Sequence, residues 1–401
     1  MTDIAARCCI AGGGPAGMMA GYLLARAGIH AVVLEKHADF LRDFRGDTVH
    51  PSTLDVMDEL GLLKGLLARP HSEVRSLAAQ IGDTDVQIAD FSHLPTKCRF
   101  VAFMPQWDFL NFLAAEAQRY PAFRLLMRTE ATGLIEEDGR VVGVSARSPD
   151  DTLRIRADLI IAADGRHSTL RTAAGLTAIE SGAPMDVLWL RLPRRLDESS
   201  QALGRVGAGR ILIQLNRGDS WQCAYVIAKG GYDAVRAEGL DAFRASIARL
   251  APELSDRVHQ LASWDDVKLL TVAVNRLPRW YKPGLLCIGD AAHAMSPIGG
   301  VGINLAIQDA VAAANILVPA FRDGVPTPDH LAAVQRRREL PTRLTQRLQL
   351  FIQNRVISPV LHGTSTPRPP WALQLLNQSA LLRRLPARLV GMGFRPEHVR
   401  Q

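Results

Sequence analysis

Arg7-Cys8-Cys9-Ile10-Ala11-Gly12-Gly13-Gly14-Pro15-Ala16-Gly17 is the stretch that decides the fold of this chain. Residues 7 to 11 read as a short buried strand, and the glycines that follow turn it. From Met18 to Ala27 the apolar spacing is helical, Gly28 ends the helix, and Ala31-Val32-Val33-Leu34 is a second strand closing on Glu35. Strand, glycine turn, helix, strand and acid in this order make a dinucleotide-binding unit. Gly12 permits the tight turn, Gly14 lets the backbone approach a pyrophosphate, and Gly17 lets the helix lie close on the strand. Pro15 and Ala16 open the helix, whose free N–H groups and partial positive charge face the phosphates. Glu35, with Lys36 next to it, is placed to hold an adenosine ribose. The unit by itself does not separate FAD from NAD.

Two later segments point to FAD. In Asp158–Arg171 an apolar strand runs into Asp164-Gly165, and Ser168 is placed to cap a short helix. In Leu285–Asn304 another buried strand ends in Gly289-Asp290. A second glycine loop, Pro297-Ile298-Gly299-Gly300-Val301-Gly302-Ile303-Asn304, then leads into a helix over Leu305–Leu317. Asp290 suits a sugar hydroxyl. Gly299, Gly300 and Gly302 let backbone approach a flat ring, and amides at a helix start stabilise the negative charge that a reduced flavin gains. No other glycine cluster follows a strand and opens a helix; Gly204–Arg210 precedes a strand instead. A second dinucleotide domain is therefore not expected.

The three motifs, in this order and spacing, resemble the class A flavoprotein monooxygenases of the para-hydroxybenzoate hydroxylase type, over about residues 1 to 350. The resemblance implies a Rossmann-like, discontinuous FAD-binding domain (GR2-type), a β-rich substrate lobe and a helical C-terminal tail. It implies tightly bound FAD, NAD(P)H as a transient co-substrate, and O2. The chemistry would be hydroxylation of a small aromatic, phenolic or quinone-like molecule through a flavin hydroperoxide, with the reactivity carried by the cofactor. By position, Gly12, Gly14, Pro15, Ala16, Gly17, Glu35 and Lys36 would hold the pyrophosphate and ribose. Arg45 and Gln106 would reach the FAD chain, and Ala131 the adenine. Asp164 and Gly165 match the shared FAD and NAD(P)H fingerprint. Gly289 and Asp290 match the ribityl contact, Pro297 lies beside the flavin ring, and Gly300, Gly302, Ile303 and Asn304 lie under its pyrimidine side. Val301 stands where many members have Gln. The chain has no Trp-x-Trp, the mark of flavin halogenases. A dehydrogenase or reductase of the same fold, inserting no oxygen, is the alternative reading.

The expected division is residues 1–73, 99–180 and 268–330 for the FAD domain, 74–98 and 181–267 for the lobe, and 331–401 for the tail. In the lobe, Leu77–Ile81 and Val86–Phe91 read as a hairpin. Asp186–Leu192, Arg210–Leu215 and Trp221–Ile227 read as strands. On these strands Trp189, Arg191, Gln214, Gln222 and Tyr225 are the substrate candidates, with Trp189 and Arg191 on one face. His50 and Asp47 are candidates for the nicotinamide side. His293, beside Asp290, reads as structural rather than as a base.

Composition is that of an ordinary globular enzyme, 47% apolar and 22% charged. Cys8, Cys9, Cys98, Cys223 and Cys287 fit neither a metal site nor a disulfide framework, so reduced thiols and a cytoplasmic location are expected. No signal peptide is evident, and no apolar run approaches the ~18 residues of a spanning helix. The net charge of +7 is concentrated: from Phe321 onward 13 Arg against 4 Asp and Glu give +9. Arg336, Arg337, Arg338, Arg343 and Arg347 read as a solvated basic face over Leu340, Leu344 and Leu348. Nothing matches a nucleic-acid motif. Weak contact with a membrane surface, and a monomer or homodimer, are compatible with this tail.

Overall fold

The computed structural model describes residues 2–41, 47–195, 197–198, 203–365 and 367–400. The first strand, Thr2–Ala11, lies inside an eight-stranded sheet. The order is Tyr281–Lys282, Leu285–Cys287, Thr152–Ala162, Thr2–Ala11, Ala31–Leu34, Phe123–Leu126, with Arg140–Arg147 and Glu130–Glu137 continuing from Thr152–Ala162. The five strands from Leu285–Cys287 to Phe123–Leu126 run parallel. Parallel strands are covered on both faces, and here Cys8–Ala11 and Ala31–Leu34 are all buried. The helix Pro15–Arg26 packs against Gly302–Asp323 and Gln106–Ala117. All five cysteines are free and buried in these cores.

Gly302–Asp323 starts before the expected Leu305 and runs on through Pro319. It is long and apolar enough to cross a bilayer, yet 78% of its most apolar window is buried. It carries buried Asn304, Gln308 and Asp309, and it is a core helix.

The lobe is a second, seven-stranded sheet: Lys268–Leu270, Met185–Pro193, Ser220–Ala228, Arg210–Asn216, Leu203–Gly207, Ser76–Ile81 and Thr84–Asp90. Side chains alternate across it. One face carries Leu188, Leu190, Leu192, Leu212, Cys223 and Tyr225 into a core closed by the helix Leu240–Leu250. The other face carries Val187, Trp189, Arg191, Gln222, Ala224 and Val226.

The tail corrects one expectation. In the helix Pro328–Ile352, Arg338 is 1% exposed, whereas Leu340 is 54% exposed. The buried stripe is polar: Gln335, Arg338, Thr342, Thr345, Gln346 and Gln349, continued by Gln353 in the next turn. Arg336, Arg343 and Arg347 are exposed as expected and Leu344 and Leu348 are half-buried; Arg338 and Leu340 depart from it, because beyond Val334 the inner face of this helix meets Asp309 and the backbone of a neighbouring loop rather than the apolar core.

Candidate active site

The three sequence motifs meet at the carboxyl ends of the parallel strands, where ligands sit in open α/β sheets. A Cβ on Gly12, whose φ is +106°, would lie 2.3 Å from the carbonyl oxygen of Ala163, next to Asp164. A Cβ on Gly17 would lie 1.9 Å from the carbonyl oxygen of Gly12. A Cβ on Gly289 would approach that of Ala16 to 3.1 Å. Arg166 reaches Asp290 at 4.0 Å, and Arg171 donates to the carbonyl of Ala291 at 3.2 Å. The first motif is thus wedged against the second, and the third against both.

The mouth of the helix Pro15–Arg26 fits a pyrophosphate. Its N-cap, Gly14, supplies no side chain, and among the described residues nothing lies within 4 Å of where one would begin. The first-turn amides therefore face open space with the positive end of the helix behind them. Glu35 is buried, accepting from the amides of Gly13 and His37 at 3.0 Å each. These bonds fix its carboxylate at the end of Ala31–Leu34. Lys36 is exposed beside it. Asp164 accepts from Ser168 Oγ and, at 3.1 Å, from the amide of Leu170, while Ser168 caps the helix Thr169–Ala173. Ala131 lies in the strand Glu130–Glu137, paired with Ala146, and Gly165 follows Asp164 with φ of +87°. Arg45 lies outside the described residues.

The loop from Pro297 to Asn304 is tied down from two sides. From the N-terminal side, Thr48 Oγ1 donates to the carbonyl of Gly300 at 2.7 Å. Ser52 and Thr53 donate to Asn304 Oδ1 at 2.9 and 2.6 Å. His50 is buried between two carbonyls: Nδ1 lies 2.7 Å from Val390 O and Nε2 3.1 Å from Gly300 O. Burial lowers its pKa, although these carbonyls pull the other way. A neutral imidazole has one N–H, so only one carbonyl is served at a time.

From the other side comes the glutamine stripe. Gln349 Nε2 donates to the carbonyls of Ser296 and Ile298 at 2.9 Å each, and its Oε1 accepts from Ser296 N at 3.2 Å. Gln353 donates to Ser296 Oγ at 2.8 Å, and Gln346 to the carbonyls of Asn275 and Ala294. Below the loop, Asp309 accepts from Gly289 N at 3.0 Å, Arg338 at 3.0 Å and His293 Nε2 at 2.7 Å. Burial pushes Asp309 up, but His293, Arg338 and the Gly289 amide outweigh it and hold it below the usual carboxylate range. His293 is therefore held in a structural network, its ring tilted at 47° to that of Trp280.

The lobe covers this loop with an apolar wall and one charged corner. Ile298 packs with Met185, Ile211 and Val226, and Leu215 packs near Phe103 and Val390. At the corner Arg217 pairs with Asp47, both side chains 8% exposed. Arg217 Nε donates to Gln222 Oε1 at 2.9 Å, its guanidinium lies 5.6 Å from the centre of the Phe103 ring, and among the described residues its Nη1 has no partner. The amide of Gln106 approaches Asp47 at 3.4 Å. Burial raises Asp47 and lowers Arg217, in each case as the largest influence, and Arg191 adds a second positive charge. Desolvation thus exceeds the mutual attraction of the pair, as buried ion pairs often show. Through Asp47 and its neighbour Thr48, the lobe is connected to Gly300.

Of the five substrate candidates, Trp189, Arg191 and Gln222 share the face toward this corner. Gln214 and Tyr225 are on the opposite face, a correction that follows from the strand pairing. Tyr225 bonds Ser246 and packs on Phe243, and Gln214 bonds Glu253.

Residues 5–348 match the family described as FAD binding domain. The chain belongs to this family. It is 34% identical to 6-methylpretetramide 4-monooxygenase of Streptomyces rimosus, over 94% of this chain and 91% of that one. It is 24% identical to para-nitrophenol 4-monooxygenase of Pseudomonas sp. strain WBC-3, over 79% of each. Among solved structures, the anhydrotetracycline hydroxylase OxyS of Streptomyces rimosus superposes with a TM-score of 0.76 at 22% identity, covering 97% of this chain and 76% of that one. The protein is accordingly an FAD-dependent monooxygenase, an oxidoreductase using O2 and, as is typical of its family, NAD(P)H.

Sequence reasoning missed Arg217, Thr48 and the glutamines of this flavoprotein. Arg217 sits in a hairpin turn, where no periodic signal marks it. The spacing Gln346, Gln349, Gln353 was a signal: amides recurring every three or four residues lie on one helix face.

Proposed function

We propose that this monooxygenase hydroxylates a fused-ring phenol of tetracycline-like size, its ionised oxygen directed to Arg217. The observation that carries the reading is the Nη1, unpartnered among the described residues, of an otherwise buried guanidinium packed over the Phe103 ring. An N–H left without a partner there costs about 1–3 kcal/mol, and an anionic oxygen would recover it. Arg191 strengthens the positive field, favouring phenolate over phenol. The relatives named for 6-methylpretetramide and anhydrotetracycline support the size of the substrate.

We assign the cofactor roles as follows. The amides of Ala16 and Gly17 would take the pyrophosphate, Glu35 the ribose, and Asp290 the ribityl chain. The uncapped start of Gly302–Asp323 would face the pyrimidine side of the ring. Reduced FAD, when bound, supplies the activation of O2 and the transfer of one oxygen atom to an electron-rich ring carbon. The chain's residues place that carbon, keep water out and stabilise the phenolate. The same reading divides the chain into an FAD domain (1–73, 99–180, 268–330), a lobe (74–98, 181–267) and a helical tail (331–401). Lys268–Leu270 joins the lobe sheet at that boundary.

The test is NAD(P)H consumption under 18O2 with a panel of single-ring and fused-ring phenols. Isotope in a product of the fused-ring members, lost when Arg217 is changed to Met, supports the reading. Peroxide as the sole oxygen product across the panel would sink it and favour an oxidoreductase that inserts no oxygen.

A further inference from the structure

From Leu340 to Pro396 the sequence holds eight arginines and neither aspartate nor glutamate. Within it, the helices Trp371–Gln378 and Ala380–Gly391 form a hairpin laid over the lobe strand Thr84–Asp90. Their inward contacts are small. Leu373 joins Ala79, Ile81 and Val86, and Ala387 is buried beside Phe91 and Leu94. Their outward side is apolar: Trp371 is 74% exposed, Leu381 67% and Leu385 63%, with Leu375 also exposed. Arg384 and Arg388 stand among them in solvent.

We propose that this hairpin docks the enzyme onto an anionic membrane surface. A tryptophan and protruding leucines enter the boundary between headgroups and acyl chains, while arginines beside them meet lipid phosphates and extend along their own apolar stems. The charge decides between occupants. A second copy pairing symmetrically would set this patch against itself, arginine facing arginine, with no carboxylate anywhere in Leu340–Pro396 to answer. An anionic bilayer answers Arg384 and Arg388, which stand on the patch itself. Protruding side chains on two short helices suit a soft apolar layer better than the fixed pockets of a protein partner. The inner side of Ala380–Gly391 brings Val390 and Gly391 to His50 and Ser52. Surface and active site thus share one helix, which sets the site beside the layer where an apolar aromatic substrate partitions. The proposal stands whether or not the substrate reading above holds.

Flotation of the purified holoenzyme with phosphatidylcholine vesicles, with and without phosphatidylglycerol, tests it. Binding is expected only with the anionic lipid, weakening as salt screens the arginines. Each arginine near the surface is worth roughly a five-fold gain, so R384E/R388E should bind at least ~25-fold more weakly. W371S and L385S should also weaken binding, and all three variants should keep full turnover in lipid-free buffer. No flotation at low salt, or flotation unchanged by R384E/R388E, overturns the proposal. So does a concentration-dependent dimer abolished by W371S, which would make a second copy the occupant. Binding to soluble polyglutamate as tight as to vesicles would point to an acidic protein instead, and would equally overturn it.

Discussion

The cradle at Gly12–Gly17 and the helix Pro328–Ile352 both shape the proposed flavin site, by opposite means. The cradle works by lacking side chains: Gly12 and Gly17 have no room for a Cβ, and Gly14 leaves the helix mouth open. The helix works by sending side chains out: Gln346 and Gln349 reach across to bond a loop that is distant in sequence. A backbone device depends on local geometry, and a short motif encodes it. A side-chain device depends on what the fold brings opposite, which no local spacing specifies.

The cradle offers the sharpest way to break that comparison. Gly17→Ala would drive a Cβ into the Gly12 carbonyl, and little flavin-loaded protein should be recovered. Gly14→Ala meets no atom of the described residues. It should fold with an unchanged melting temperature in the FAD-free form, yet bind FAD at least tenfold more weakly by flavin fluorescence. Equal FAD loss with equal destabilisation in both variants would mean that Gly14 serves packing and not the phosphates.

The largest effect expected on the helix side is at Arg338. Removing one partner of a buried ionic network typically costs 3–5 kcal/mol, so Arg338→Met should lower denaturant stability by about that much. Asp309 has a depressed pKa, which sets the pH window. Its stabilising contribution is fully present above the ordinary carboxylate value of about 3.9, and it is lost as pH falls through the lower folded value. In the variant that acid-sensitive increment should shrink, as urea titrations at successive pH values would reveal.

Gln349→Leu is a milder change. It strips partners from Ser296 and from the Ile298 carbonyl, each loss worth on the order of 1 kcal/mol. If the stripe positions the loop, the hydroxylated fraction of consumed NAD(P)H should fall and peroxide rise, with FAD still bound. A loss of stability with coupling intact would reduce the stripe to a scaffold.

The parallel sheet and the three FAD motifs were legible because each needs a short pattern: an apolar run, then glycine or Gly-Asp at a strand end. The lobe strands were legible from alternation. Which of their faces looks toward the active site was not, since alternation separates Trp189 from Tyr225 without saying what each side meets, and only the helix Leu240–Leu250 shows which side is core. Arg338 was misread as solvated because helical periodicity reports a stripe without saying what it meets. Its partners, Asp309 and Glu397, come from two other segments.

His50 joins both kinds of device, and its effect should be the smallest. It is a side chain placed between two backbone carbonyls, of Gly300 in the loop Pro297–Asn304 and Val390 in the C-terminal helix. Its folded pKa is lowered by burial, so above the ordinary histidine value of about 6.5 both folded and unfolded chains carry it neutral. As pH falls below that value the unfolded chain takes up a proton that the folded chain resists, and stability declines until the lowered folded value is passed. Each unit of separation is worth about 1.4 kcal/mol. His50→Gln should remove this increment, so the stability difference between wild type and variant should drift in the variant's favour from pH 7 to pH 5. A difference that stays flat over that interval would mean that His50 titrates at its ordinary value and is free to protonate in place. Only a drift in the wild type's favour would mean that the imidazolium donates to both carbonyls at once and ties the loop to the C-terminal helix more tightly in acid.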